Sequence, residues 1–209
     1  HTGSAKTEIL GRLAARGVQV LDLEGLAEHR GSLLGAIAGR PQPSQKLFES
    51  RLLQALDRLD PGRPIVVEAE SSKIGERMTP PALWRAMQRA PRVEIRAPRQ
   101  ARASYLVEAY QDVIADRTEL EAAFGRLPVY PGQKRLENWR GLADAGAFHE
   151  LADALMEHHY DPAYDRSSRK DDRARLGLIG VQKLEADSQE RAADAIVSLV
   201  AEFEAASRP

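Results

Sequence analysis

Cysteine is absent from all 209 residues. That excludes a disulfide framework, a thiolate metal site and a cysteine nucleophile within them. Net charge is nearly absent too, with 30 Lys and Arg against 31 Asp and Glu. Global charge therefore selects no partner, and any nucleic-acid face must be a local patch. No apolar run approaches the roughly 18 residues needed to span a bilayer. The opening His1-Thr2-Gly3-Ser4-Ala5-Lys6-Thr7 has none of the parts of a signal peptide. A soluble, cytoplasmic domain with no membrane partner is the expectation. Apolar residues make up 43%, enough to argue against wholesale disorder, and the length suits one domain with a modest insertion.

Short apolar runs alternate with helical periodicity. Val18–Leu23, Pro64–Glu68, Val93–Ile95 and Leu176–Val181 read as strands. Lys6–Ala15, Ser44–Leu59, Pro81–Ala90 and Ser188 to about Ala205 read as helices, the second capped by Ser44 and the third opened by Pro81. This alternation predicts an α/β fold with a mainly parallel sheet and flanking helices. Between about residues 100 and 159 only helical periodicity remains, broken at Gly125, Pro128, Pro131, Gly132, Gly141 and Gly146. That stretch is expected to be a helical insertion of two to four helices.

Thr2-Gly3-Ser4-Ala5-Lys6-Thr7 runs straight into a helix and fits the end of the P-loop pattern G-x-x-x-x-G-K-[ST]. Backbone N–H groups and a helix N-terminus there converge on phosphate oxygens. Lys6 would neutralise the outer phosphates, and the Thr7 hydroxyl would ligate Mg²⁺ carried by a nucleotide or diphosphate. The first glycine and the strand before it are expected upstream of His1. Ala5 stands where the pattern has its last glycine, and its methyl is expected to require a negative φ. A plain Gly/Ser tail capped by Thr7 is the simpler alternative. P-loop proteins place an acid at a strand end to hold metal or water, and Asp22, Glu68 and Glu70 occupy such ends, although each also reads as a solvated strand-end acid.

Leu21-Asp22-Leu23-Glu24-Gly25-Leu26-Ala27-Glu28-His29-Arg30-Gly31-Ser32 is far less generic. Gln42-Pro43-Ser44-Gln45, Phe48-Glu49, Glu68-Ala69-Glu70-Ser71, Ile74-Gly75, Pro98 with Arg102, Tyr110 and Tyr160-Asp161-Pro162-Ala163-Tyr164 follow in order. Together these words resemble the tRNA 2-selenouridine synthase family over nearly the whole chain. The resemblance implies a transferase acting on the tRNA wobble uridine in the anticodon arm. It implies replacement of the sulfur of 2-thiouridine by selenium from selenophosphate, with geranyl transfer from geranyl diphosphate giving an intermediate. It also implies that residues 1–209 are a P-loop NTPase-like domain lacking its first strand, and that an N-terminal rhodanese-like domain, which carries the family's cysteine, is missing.

Read as chemistry, Arg30 beside Gly31-Ser32 suits a phosphate, and Arg102 matches the family's position for one. His29 reads either as a general acid/base or as a satisfied structural histidine. No catalytic residue is assigned. From Arg85 to Arg102 stand six arginines (85, 89, 92, 96, 99 and 102) and one glutamate, a local charge of +5. With Lys134 and Arg135 they form the candidate tRNA face, the alternative being a helix face paired with acids. Trp84 and Trp139 could stack on a base but also read as core anchors. His158-His159 has no metal-site spacing. Two other functions stay open: a small-molecule P-loop kinase with the insertion as its lid, and a tRNA-docking module with a vestigial P-loop.

Overall fold

The computed structural model describes residues 1–32, 34–37, 39–69, 71–125, 127, 132–168 and 171–207. Helix α1 (Lys6–Ala15) carries Ile9, Leu10 and Leu13 on its buried face. It is followed by strand β1 (Gln19–Leu21), the short helix α2 (Leu23–Ala27) and helix α3 (Gln45–Leu56), whose N-cap Ser44 accepts from the Leu47 amide. Next come β2 (Ile65–Val67), the two-residue strands β3 (Lys73–Ile74) and β4 (Arg77–Met78), helix α4 (Pro81–Arg89) and β5 (Arg92–Arg96).

The helical region is larger than expected. It holds α5 (Arg99–Ala109), α6 (Gln111–Ala115), α7 (Arg117–Gly125), α8 (Gln133–Asp144) and α9 (Phe148–Leu155), then a π-helical turn (Met156–Tyr160) and α10 (Asp161–Ser168). Among the described residues, the two to four helices expected there are thus five before the π turn, and the region runs on past residue 159. The breakers at Pro128 and Pro131 lie outside the described residues. Tyr110 and Asp116 end short helices without any proline or glycine, because their backbones leave helical geometry there. Strand β6 (Arg175–Gly180) and helix α11 (Ala186–Ser207) complete the chain.

All four expected strands form, and their pairing is parallel: β1 with β2 and β5 with β6. The β3–β4 hairpin is antiparallel, as are the isolated bridges His29–Ala36 and Ile37–Arg40. Among the described residues the two parallel pairs are not hydrogen-bonded to one another, yet both pack on one core. Ile9, Leu13, Ala193 and Ile196 of α1 and α11 meet Val20 and Val66 on one side and Val93, Ile95 and Ile179 on the other. This is an α/β layer of the P-loop type. A second core joins Leu21, Leu23, Phe48, Leu52, Ile74 and Met87. A third lies within the helical region around Trp139, which is fully buried. Trp139 is therefore a core anchor and unavailable for stacking on a base, and Trp84 packs on the second core.

Candidate functional site: a loop pocket and two neighbouring cavities

The loop Thr2–Thr7 wraps the N-terminus of α1. Gly3 adopts φ +77°, and a Cβ there would come within 2.9 Å of Leu106 and 3.2 Å of the Arg102 carbonyl, so only glycine fits. Ala5 is the N-cap, with φ 54° and ψ 36°. The expectation of a negative φ at Ala5 is thus corrected: the loop keeps the left-handed turn and the alanine bears its cost, about 1–2 kcal/mol for a residue with a Cβ. Its methyl is 1% exposed within the α1 core, and that burial offsets part of the strain. No side-chain cap bond forms at the described start of α1, and Lys6, Thr7 and Glu8 of its first turn line the loop's cavity, as an anion site at a helix N-terminus would need.

That cavity is about 370 Å³. Gly3, Ser4, Ala5, Lys6, Thr7 and Arg30 all line it, so six of the seven expected phosphate-binding residues converge there. Arg30 is positioned from the side. Its guanidinium lies 4.8 Å from the centre of the Tyr110 ring, and Nη2 donates to both oxygens of Asp112 at 2.9 Å. Its Nη1 is buried without a partner, a donor available to an anion.

Arg102 does not line the cavity. It is 5% exposed and forms a fork onto Asp161, with Nη1 to Oδ1 at 2.8 Å and Nη2 to Oδ2 at 2.7 Å, and Nη1 also donates to the Thr2 carbonyl. Its place is behind the loop, tying Thr2 to α10. Burial alone would raise the Asp161 carboxyl, but the Arg102 fork and then His1 override it and hold Asp161 well below the usual carboxylate range.

Beside Thr7 stand Glu24, in α2 just beyond β1, and Glu68, at the end of β2. Thr7 Oγ1 donates to Glu24 Oε2 at 2.7 Å. The Glu24 amide donates to Glu68 Oε1 at 2.7 Å. Glu68 is 4% exposed, and its Oε2 has no partner. Desolvation pushes its pKa up to about 8, against the lowering by its backbone hydrogen bonds; Asp22 and Glu24 add to the rise. Asp22 itself caps α2, accepting from the Gly25 amide, and Glu70 lies outside the described residues. The Thr7 hydroxyl and Glu24, which line the pocket, fit a hard cation that keeps most of its waters and is shared with substrate phosphates, while the buried Glu68 holds the Glu24 amide. Protein side chains alone supply too few ligands: among the described residues no group of three His, Asp or Glu is placed to hold a metal. Glu24 was legible as part of the distinctive word but not as the partner of Thr7.

A raised acid pKa costs stability when the group ionises. Between pH 4.5 and 8 the folded state holds a proton that the unfolded state has released, so stability falls as pH rises through that window. Glu68→Gln is therefore expected to melt higher than the parent above pH 8, with the difference vanishing below about pH 4.5. Thermal melts across pH check this, and a parallel offset at every pH would contradict it.

His29 is nearly buried, with Nδ1 accepting from the Gly31 amide at 3.1 Å. That is a structural placement on the cavity wall. The arginine stripe divides. Arg92 pairs with Asp171, Arg96 with Glu94, Arg99 with Asp153 and Glu157, and Arg102 with Asp161. Arg85 and Arg89 stay exposed on α4, as do Lys134 and Arg135 on the first turn of α8.

Two further cavities lie beside this pocket and share lining residues with it. One, about 50 Å³, is apolar and runs into the helical region between Leu106, Val113, Leu120, Leu151 and Leu155. The other is a groove of about 1270 Å³ between the 28–42 loop with the β3–β4 hairpin and the π turn. Thr2 and Ser32 line all three, and Ser32 Oγ lies 2.8 Å from the Tyr110 hydroxyl.

The family model described as tRNA 2-selenouridine synthase AAA domain matches residues 1–128. The chain belongs to that family. Among curated relatives, the tRNA 2-selenouridine synthase of Hydrogenovibrio crunogenus is 30% identical over 191 residues, which is 81% of this chain and 52% of that protein. That of Marinobacter nauticus is 32% identical over 193 residues, 79% of this chain and 51% of its own. That of Cupriavidus pinatubonensis is 40% identical over 111 residues, 52% of this chain and 29% of its own. The chain thus spans about half or less of the length of these relatives. No solved structure matches it. Among the described residues of this AAA domain, no helix is long and apolar enough to cross a membrane.

Proposed function

We propose that this AAA domain is the diphosphate-handling part of a tRNA-modifying transferase that converts wobble 2-thiouridine to 2-selenouridine through a geranylated base. The observation that carries the reading is an apolar cavity beside the loop pocket, the two sharing Thr2, Ser32, Leu106 and Tyr110 as walls. A nucleotide needs no apolar tunnel beside its phosphates, whereas geranyl diphosphate needs one. In this reading the diphosphate sits on the α1 amides with Lys6 and Arg30, and the chain enters between Leu106, Val113 and Leu155. When the carbon–oxygen bond of geranyl diphosphate breaks and the thiouridine sulfur bonds to that carbon, Lys6 and the amides stabilise the charge on the departing diphosphate. A bound Mg²⁺ would neutralise further phosphate charge from the side of Thr7 and Glu24. Selenophosphate is the second small substrate of the reading, and the phosphate cradle suits it equally.

The break in the sheet supports the proposed domain arrangement. A further parallel strand, supplied by residues leading into Thr2, would join β2 to β5 across their common core. A rhodanese-like domain carrying the family's cysteine would complete the selenium chemistry, in the cytoplasm.

Calorimetric titration tests the ligand assignment. Geranyl diphosphate should bind more tightly than inorganic pyrophosphate and compete with it, and Ala152→Leu, which narrows the apolar cavity, should remove the advantage of the chain while leaving pyrophosphate binding intact. ATP binding more tightly than geranyl diphosphate would favour the kinase reading instead.

For the anticodon arm, the charge distribution supports Arg85, Arg89, Lys134 and Arg135 as phosphate contacts, since the other stripe arginines have acid partners. The double variant Arg85→Ala/Arg89→Ala should reduce the slope of log affinity against log salt by about two, or somewhat less on single-stranded RNA. Arg96→Ala/Arg99→Ala should change the slope less. The opposite ranking would return the RNA face to β5 and the start of α5.

A further inference from the structure

The large groove is separate from the phosphate pocket but shares the rim of Thr2, Gly31 and Ser32 with it. Its walls differ in chemistry. One side is the 28–42 loop with the β3–β4 hairpin, where Gln42 donates to the Ala27 and Ile74 carbonyls and accepts from the Glu76 amide, fixing both segments as a rigid frame. The other is the π turn, which presents His159 and Tyr160 with their rings edge to face at 4.9 Å. π-helical turns are rare and concentrate at functional sites. An aromatic ring face opposite polar groups is how unstacked bases are held, and of two perpendicular rings one can offer its face to a base while the other borders its edge. The cation Arg40 stands exposed at the lip, with Lys73 near it in a weak exposed pair with Glu76 at 3.3 Å. The volume, about 1270 Å³, exceeds what a small-molecule site usually needs, about 300–1,000 Å³.

We infer that this groove seats an unstacked nucleoside of the RNA substrate, with Tyr160 and His159 as the aromatic wall and Arg40 on a flanking phosphate. The inference rests on the transferase reading above and deepens it. A base in the groove meets a ligand held by the loop at Ser32, which puts acceptor and donor on opposite sides of one rim. Burial, then Arg166, lowers the His159 pKa, so the ring is neutral at physiological pH and suited to packing on a base.

The test is fluorescence anisotropy of the full 209-residue chain with an anticodon stem–loop carrying 2-thiouridine, alongside calorimetry with inorganic pyrophosphate. Tyr160→Ala should weaken RNA binding roughly tenfold, as expected for the loss of one stacked base, and His159→Ala by a lesser factor. Arg40→Ala should weaken it and lower the salt slope by about one. Pyrophosphate affinity should be unchanged in all three. Tyr160 also packs on the helical core, so Arg40→Ala and His159→Ala carry the test if Tyr160→Ala unfolds. Unaltered RNA affinity in these variants, with pyrophosphate still bound, overturns the groove assignment alone. Failure of the parent chain to bind either ligand overturns the transferase reading and the groove assignment together.

Discussion

Replacing Lys6 by alanine should weaken binding of geranyl diphosphate and inorganic pyrophosphate by roughly ten- to 150-fold, the effect of losing a hydrogen bond to a charged group worth about 1.5–3 kcal/mol. Lys6 lines the pocket beside the uncapped start of α1. The amides and Arg30 would remain, so the loss is graded and not complete. The melting temperature should stay within about 2 °C of the parent, because the half-buried Lys6 belongs to none of the three apolar cores. Calorimetry and a thermal melt on one sample decide it. Unchanged affinity for both ligands would remove Lys6 from the phosphate site.

The second large effect is on stability. Arg102→Ala should destabilise the domain by about 3 kcal/mol, at the low end of what removing one partner of a buried ion pair costs. That corresponds to a fall of about 6–12 °C in melting temperature for a chain of this size. The low end applies because the Asp161 side chain is 23% exposed while that of Arg102 is 6%, so water recovers part of the stranded carboxylate. The pH dependence has a definite sign. Asp161 has its folded-state pKa depressed, so the pair contributes fully above about pH 4 and its contribution is lost as acid protonates the carboxylate. The gap between parent and Arg102→Ala should therefore shrink in acid. Arg102→Met with Asp161→Leu should restore much of the loss, since an apolar pair of similar volume leaves no unpaired charge. Affinity for pyrophosphate should fall in Arg102→Ala only as far as the loop loosens at Thr2. A variant of normal stability with no phosphate affinity would instead put Arg102 in the pocket.

These two residues also mark what the sequence could and could not say. The loop and its lysine are local, six consecutive residues with a recognisable spacing, and they fold where the motif placed them. The strands and the long helices are legible for the same local reason: the apolar run Val18–Leu23 contains β1 at Gln19–Leu21, though Leu23 already starts α2, and the helical periodicity of Ser44–Leu59 contains α3 at Gln45–Leu56. The Arg102–Asp161 fork joins residues 59 positions apart. Both lie in words resembling the family, yet no spacing rule links them, and Arg102, which sequence position points towards phosphate, is a brace between Thr2 and Asp161. Glu24 and Glu68 come together only because β1 and β2 pair in parallel register, Leu21 opposite Val67, which brings their ends side by side. The β3–β4 hairpin escaped because two-residue strands, Lys73-Ile74 and Arg77-Met78, carry no measurable alternation. The π turn escaped because its sequence, Met156–Tyr160, reads as ordinary helix.

The central claim is that a diphosphate sits on the loop with its apolar chain directed into the helical region. Amide NMR of the chain titrated with geranyl diphosphate and, separately, with pyrophosphate tests it directly. Both ligands should shift the amides of Gly3 to Thr7, and geranyl diphosphate alone should also shift those of Leu151 to Leu155, which border the apolar cavity. Saturable binding of geranyl diphosphate that leaves Gly3 to Thr7 unmoved would contradict the account.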